Sequence, residues 1–401
     1  SHVLNLITGS QPPVASSGET QPPSSASGET QQEGSAAEEP VRVPSANVTV
    51  VDPREEGKLA EEIQKNLIQE LEKEQTEEQA ETEESSEANS DNPSGITVVD
   101  QAGREVTLEE PADKLVSSYY ISTALLIALG CEDDLAGIEK KGETRQLYRM
   151  AAPELLELPA VGSGKGINVE ETAALEPDVV ILPKRLQESA ASFEALDIPV
   201  IIVNPETQEE FEECISLLAT VTGTEQTGEE LLNYYHEKME FARELTKDAE
   251  KPLVYLASGS DYLSTCTSKM YQNDLISMAG GLNVSGELED TYWAEISAEQ
   301  LAAWNPEYIF GVSYAEYGLD SFTENEALAE VEAVKKEQVY TFPSTIEAWD
   351  YPTPSSVLGV LWLTNVLHPD LYSTEDYKKE AVEFYQKFFD IQVSDEDLGL
   401  Q

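Results

Sequence analysis

Cysteine, histidine and positive charge are all scarce in this chain of 401 residues. Cys131, Cys214 and Cys266 stand far apart with no CxxC spacing, and an odd number of cysteines cannot pair completely within one chain. His2, His236 and His368 are scattered. A disulfide framework, a structural zinc site and a histidine-built metal centre are therefore not expected, and no metal site is assigned. Only 24 Lys and Arg stand against 78 Asp and Glu, a net charge of −54. Such a surface repels DNA, RNA and anionic membranes. There is no apolar run of about 20 residues, the length that a transmembrane helix needs. No Ser/His/Asp or Cys/His arrangement is apparent, so the chain reads as a non-enzyme without a cofactor. It opens on Ser1 rather than methionine, which points to a removed leader or a trimmed terminus.

Hydrophobic residues make up 40% of the chain, enough for a core, and the length suits two or three domains. Residues 1–94 differ in kind from the rest. Gln11 to Thr20 is nearly repeated by Gln21 to Thr30, and Pro, Ser, Gly and Glu dominate. That composition buries too little apolar surface to offset the entropy of ordering. Within it, Leu59, Ile63, Leu67 and Leu71 form a four-residue stripe, compatible with a lone amphipathic helix. The segment reads as a disordered acidic spacer.

From Ile96 onward, strand and helix patterns alternate. Ile96 to Asp100 and Val106 to Leu108 flank a turn and predict a hairpin. Strands are expected at Lys114–Ser117, Leu135–Ile138, Val179–Leu182, Pro199–Val203, Leu253–Leu256 and Val339–Phe342. Helices are expected near 121–129, 187–196, 272–279, 355–367 and 374–389. The stretch 227–249 reads as one long helix. The fold class is α/β: two lobes with mainly parallel sheets, joined by a single long helix that resists hinge bending. The expected division is 1–94 spacer, 95–223 first lobe, 224–250 connecting helix and 251–401 second lobe with terminal helices.

One pattern occurs twice. Asn168-Val169-Glu170-Glu171-Thr172-Ala173-Ala174-Leu175-Glu176-Pro177-Asp178 precedes the apolar run Val179 to Leu182. Ser297-Ala298-Glu299-Gln300-Leu301-Ala302-Ala303-Trp304-Asn305-Pro306-Glu307 precedes Tyr308-Ile309-Phe310. Each reads as an N-cap, a two-turn helix, a proline stop and a buried strand.

With these motifs in place, residues 96–390 resemble the substrate-binding proteins of bacterial ABC importers, in the class with one long backbone helix. The opening Ile96 to Val106, the stretches Val161 to Val180 and Ala279 to Val284, and the second repeat carry the likeness. The resemblance implies capture of a metal chelate such as an iron-siderophore, haem or a corrinoid. It also implies a monomer that meets the permease subunits outside the cytoplasm, with membrane contact through an N-terminal lipid anchor. Molybdate or tungstate is the alternative ligand within the class, and a surface interaction protein without transport is an alternative outside it. A two-lobed enzyme of the nitrogenase-cofactor type would need cysteine or histidine ligands that the loops lack.

In such proteins one glutamate per lobe docks on permease arginines; the matching positions are Glu170 and Glu299. Both fall in the first turn of a helix, where a carboxylate suits the helix dipole. The ligand is expected at the C-terminal strand ends, between the lobes. Loops there hold Tyr119, Tyr120, Tyr262, Tyr292, Trp293, Tyr314, Trp349 and Tyr351, flat contact area at low entropic cost. The few cations in the first lobe's loops include Arg145, Lys165 and Arg185, which point to an anionic group on the ligand. For each cation alone, a solvated surface charge is the plainer reading. Trp304 and Trp362 lie in apolar stretches and are expected in the core.

Overall fold

The computed structural model describes residues 95–400, together with Lys65, Asn66 and Gln69. Those three are helical and exposed; the rest of the acidic spacer and its leucine stripe lie outside the described residues. The folded part opens on the expected hairpin, β1 (Ile96–Val99) antiparallel to β2 (Glu105–Leu108). Buried Asp100 builds its turn, with Oδ1 accepting the amides of Ala102 and Arg104 at 3.0 and 2.9 Å. Its Oδ2 accepts the amide of Ile202 at 3.0 Å, tying the hairpin to the first lobe. Gly103 sits at φ +76°, a conformation that costs glycine little.

The first lobe holds six strands: β3 (Leu115–Ser117), β4 (Leu135–Glu139), β5 (Ala160–Ser163), β6 (Gly166–Ile167), β7 (Val179–Pro183) and β8 (Val200–Val203). Their order is β6-β5-β4-β3-β7-β8, parallel throughout except for β5 against β6. Every residue of β7 and β8 is buried, as the continuous apolar runs require of strands covered on both faces.

Helix Gln208–Thr222 starts in a capping box formed by Thr207 and Glu210 and stops at Gly223, φ +70°. The backbone helix Glu225–Thr246 follows at once, 22 residues or about 33 Å long. Gly228 is where the two helices touch: a Cβ there would meet Ala219 Cβ at 2.8 Å.

The second lobe contains β9 (Leu253–Leu256), the short pair β10 (Ser264–Thr265) and β12 (Ala294–Glu295), β11 (Leu282–Asn283), β13 (Tyr308–Val312) and β14 (Val339–Phe342). Its main sheet runs β11-β9-β13-β14, all parallel. Helix Val357–Leu367 is buried along almost its whole length. Helix Thr374–Phe389 clamps onto the backbone helix: Phe384 and Phe388 pack on Tyr234, and buried Lys238 donates to Glu380 at 2.7 Å.

The sequence repeat has a structural counterpart. Asp178 donates its amide to Lys114 O at 2.8 Å and accepts the Lys114 amide on Oδ2 at 3.0 Å. Glu307 does the same to Leu253, at 2.9 and 2.8 Å. In both lobes the acid after the proline clamps the start of the neighbouring strand. Glu176 and Asn305, just before the prolines, both adopt positive φ, 51° and 48°.

Three local expectations need correction. The first repeat helix spans only Val169–Ala173, because Glu176 at positive φ and Pro177 end it early. Where a helix was expected over 187–196, a 3-10 turn (Lys184–Ser189) leads into α-helix Ala190–Glu194, and Asp197 at φ 58° closes it. Trp304 is half-buried rather than in the core, its indole reaching out to Glu287 at 3.0 Å, whereas Trp362 is buried as expected.

Candidate ligand cleft

The parallel sheets decide where functional side chains collect, since loops that leave the C-terminal strand ends share one edge. In the first lobe, β3 delivers Ser118, Tyr119 and Tyr120; β4 delivers Lys140, Lys141 and, a turn later, Arg145; β7 delivers Lys184 and Arg185. Arg145 lies over the Tyr120 ring, Cζ 3.9 Å from the centroid, and Arg185 over Tyr119 at 5.7 Å. The two tyrosines meet edge to face at 5.6 Å. Both are buried, at 3% and 7% exposure, while both arginines are half-buried. Stacking on the rings fixes the planes of the guanidiniums.

Beneath this layer lies Glu139, the last residue of β4. It accepts from Tyr148 Oη at 2.5 Å and Thr123 Oγ1 at 2.7 Å. Burial pushes its carboxyl up, while those two hydrogen bonds and Arg145 pull it down.

In the second lobe, β13 leads to Tyr314 and Tyr317, and β14 leads to the loop Ala348-Trp349-Asp350-Tyr351-Pro352-Thr353-Pro354. Tyr351 packs edge-on against Tyr314 at 6.3 Å. The Tyr314 hydroxyl donates to Asp350 Oδ2. The lobes touch through tyrosine hydroxyls, Tyr120 Oη donating to Tyr351 Oη at 2.8 Å. Burial raises the Tyr119, Tyr120, Tyr314 and Tyr351 phenols, so all four stay neutral. Burial also pushes Asp350 up to about 6 and Glu347 up to about 7.

Of the residues singled out from sequence, Tyr119, Tyr120, Arg145, Arg185, Tyr314 and Tyr351 form one connected group. Trp349 stands beside it but faces inward: it is 1% exposed and donates its indole to Ser355 at 3.2 Å. Tyr262 packs within its own lobe, against Phe322 at 5.6 Å and Tyr317 at 6.3 Å. Trp293 is half-buried against the main core, and its neighbour Tyr292 is 48% exposed. Lys165 is exposed at the β5–β6 turn, its amide bonded to Ser163 Oγ at 3.2 Å.

Sequence reasoning missed the acids and their partners: Glu139, Tyr148, Glu347, Asp350 and Gln272. Glu139 left one signal, a lone carboxylate ending the apolar run Leu135 to Ile138. The others became visible only once the loops met.

Glu170 and Glu299 are both exposed, each in the first turn of its helix. Their caps match: Asn168 Oδ1 accepts the Glu171 amide at 3.0 Å, and Ser297 Oγ accepts the Gln300 amide at 3.1 Å.

Residues 115–346 match the periplasmic binding protein family. The molybdate-binding protein MolA of Haemophilus influenzae is 25% identical over 318 residues, 73% of this chain and 90% of its own length. The vitamin B12-binding protein of Vibrio cholerae is 23% identical over 267 residues, 62% of this chain and 87% of its own. A periplasmic solute binding protein from Veillonella parvula has the same fold, with a TM-score of 0.67 at 23% identity over 76% of this chain and 95% of that one. With two α/β lobes on one backbone helix and a match over more than half its length, the chain belongs to the periplasmic binding protein family, whose members bind small-molecule solutes outside the cytoplasm for ABC transporters.

Proposed function

We propose that this protein captures a metal chelate between its two lobes and delivers it to an ABC permease. An iron-siderophore, haem or a corrinoid is the ligand class. One observation carries the reading: Arg145 and Arg185 are held over Tyr120 and Tyr119, beside the Tyr120–Tyr351 contact between the lobes. In a chain of net charge −54, two cations kept on aromatic faces are suited to the anionic groups of a chelate, and the rings to its flat organic part. The lobes correspond to residues 95–223 and 251–401, and Glu170 and Glu299 are the docking carboxylates. The acidic segment 1–94 acts as a spacer between a lipid anchor and this module.

A second reading, a molybdate or tungstate receptor, is favoured by the burial of Tyr119, Tyr120 and Tyr351, which suits a compact ligand, and by the likeness to MolA. A thermal-shift panel of haemin, cyanocobalamin, ferric hydroxamate and catecholate chelates, molybdate and tungstate separates the two. A ligand present at about 100 times its Kd stabilises the folded state by about 2.7 kcal/mol, a visible midpoint shift. A shift with one chelate supports the first reading, and a shift with the oxyanions alone replaces it with the second.

A further inference from the structure

We propose that Asp350, with Gln272 behind it, is an acceptor site that reads a hydrogen-bond donor on the ligand, an ammonium, amide or hydroxyl group. This rests on the capture reading and adds a specificity element on the second lobe.

The carboxylate of Asp350 is half used. Oδ2 accepts from the Tyr314 hydroxyl, and the backbone oxygen accepts from Gln272 Nε2 at 2.8 Å. Oδ1 is buried and has no hydrogen-bond partner among the described residues. Gln272 Oε1 is in the same state. The two residues are 1% and 2% exposed, so bulk water does not serve these oxygens. Native proteins seldom leave buried acceptors unpaired, and here the two belong to residues joined by a hydrogen bond.

The charge around Asp350 sharpens the point. Asp350 forms no ion pair among the described residues. The titratable groups that feel its charge are Tyr271, Tyr314, Tyr317 and Tyr351, all neutral phenols. The Arg145 guanidinium acts on Glu347 and Tyr351, but Asp350 has no such cation. A buried carboxylate without a cation is costly in the free protein and is relieved by an incoming donor.

Position gives the ligand its polarity. Asp350 precedes Tyr351, the second lobe's contact to Tyr120, so it stands one residue from the line where the lobes meet. Its loop is held rigid. Thr353 Oγ1 donates to Ala348 O at 2.8 Å, Ser356 Oγ donates to Thr353 O at 2.8 Å, and the Trp349 indole is anchored on Ser355. The acceptor is thus preorganised rather than free to turn toward water. The first lobe carries the positive charge of two guanidiniums and the second an acceptor, so a ligand with anionic groups at one end and a donor at the other is bound in one orientation. A bare tetraoxyanion presents acceptors alone and meets Asp350 as a like charge.

The test uses the full chain and its D350N variant, in which the Asn oxygen can still accept from Tyr314 while an amide N–H replaces Oδ1. Titration calorimetry compares three probes: a ferric trihydroxamate with a terminal ammonium, the same chelate with that amine succinylated to a carboxylate, and molybdate. The expected result is a preference of about tenfold or more for the ammonium chelate, erased in D350N. Removing an uncompensated buried charge is also expected to raise the unfolding midpoint of the ligand-free variant. A D350N affinity within about twofold of the parent for the ammonium chelate overturns the proposal, as does equal binding of molybdate by the parent. If no probe binds, the capture reading falls with these ligand classes. The ligand-free midpoint still decides the acceptor, because a lower midpoint in D350N means that the carboxylate is already satisfied and overturns it.

Discussion

The Tyr120 hydroxyl donates to the Tyr351 hydroxyl at 2.8 Å, joining two residues 231 positions apart, one from each lobe. Both rings are 7% exposed, so a hydroxyl left without its partner is starved of water. Tyr120→Phe and Tyr351→Phe are each expected to cost about 1–2 kcal/mol in urea unfolding. The double variant should cost less than the sum, with a coupling of about 0.5–1.5 kcal/mol. Strictly additive costs would mean that the hydroxyls do not hold the lobes together.

Arg145 tests the cation layer. Its guanidinium lies 3.9 Å from the centroid of Tyr120, the first lobe's residue in the hydroxyl contact to Tyr351. Lysine keeps the charge but loses the planar stack and the paired donors. Arg145→Lys is expected to weaken binding of an anionic chelate such as haemin by about tenfold, and Arg145→Gln by more. Calorimetry at two ionic strengths checks it: the Gln variant should also lose salt dependence. Equal affinity for the parent and both variants would place the ligand elsewhere.

Glu347 gives a pH signature. Burial pushes its carboxyl up to about 7, against the two hydrogen bonds from Ser355, N–H at 3.2 Å and Oγ at 2.5 Å. The unfolded value is about 4.3, so between these limits the folded state binds more protons than the unfolded state. Stability from this group is therefore full below about pH 4, falls as pH rises toward 7 and is flat above. Asp350, pushed up to about 6, acts in the same direction over a narrower window. Glu347→Gln retains an acceptor for Ser355 and cannot ionise. The midpoint of the variant minus that of the parent is expected to grow between pH 4 and 7 and then level off. A difference constant with pH would show that Glu347 keeps an ordinary carboxyl.

How much of this was legible in the sequence follows from the range of the interactions involved. The apolar runs Val179 to Leu182 and Leu253 to Leu256 read directly as buried parallel strands, because a strand covered on both faces needs no partner information. The caps Asn168 and Ser297 read equally well, since each bonds an amide three residues on. Their clamps, Asp178 on Lys114 and Glu307 on Leu253, did not, because the partner strand is remote in sequence. The cleft followed the same division. Loops at strand ends pointed to Tyr119, Tyr120, Arg145, Arg185, Tyr314 and Tyr351, while nothing local separated these from Tyr262, which packs on Phe322 in its own lobe. Asp350 went unnoticed because its meaning depends on Tyr314 and Gln272, which other elements supply.

The last prediction concerns delivery. Glu170 and Glu299 are exposed, begin equivalent helices and are followed by equivalent strand clamps, so the two lobes present the same motif twice. A carboxylate at such a helix start is worth at most about 0.3–1 kcal/mol to folding, so its removal leaves the fold intact. Two carboxylates on a rigid body can form a two-point ionic contact with arginines on a permease, and losing both removes both charge-assisted pairs. Glu170→Ala with Glu299→Ala is expected to lower uptake into proteoliposomes holding the permease by about 100-fold, while ligand affinity stays within about twofold. The single variants should be intermediate, and raising the salt concentration should weaken the parent toward them. Uptake unchanged in the double variant would sink the docking role and leave the two glutamates as ordinary helix-start charges. A loss of uptake matched by a loss of affinity would sink it too, because the carboxylates would then be acting on the cleft rather than on the permease.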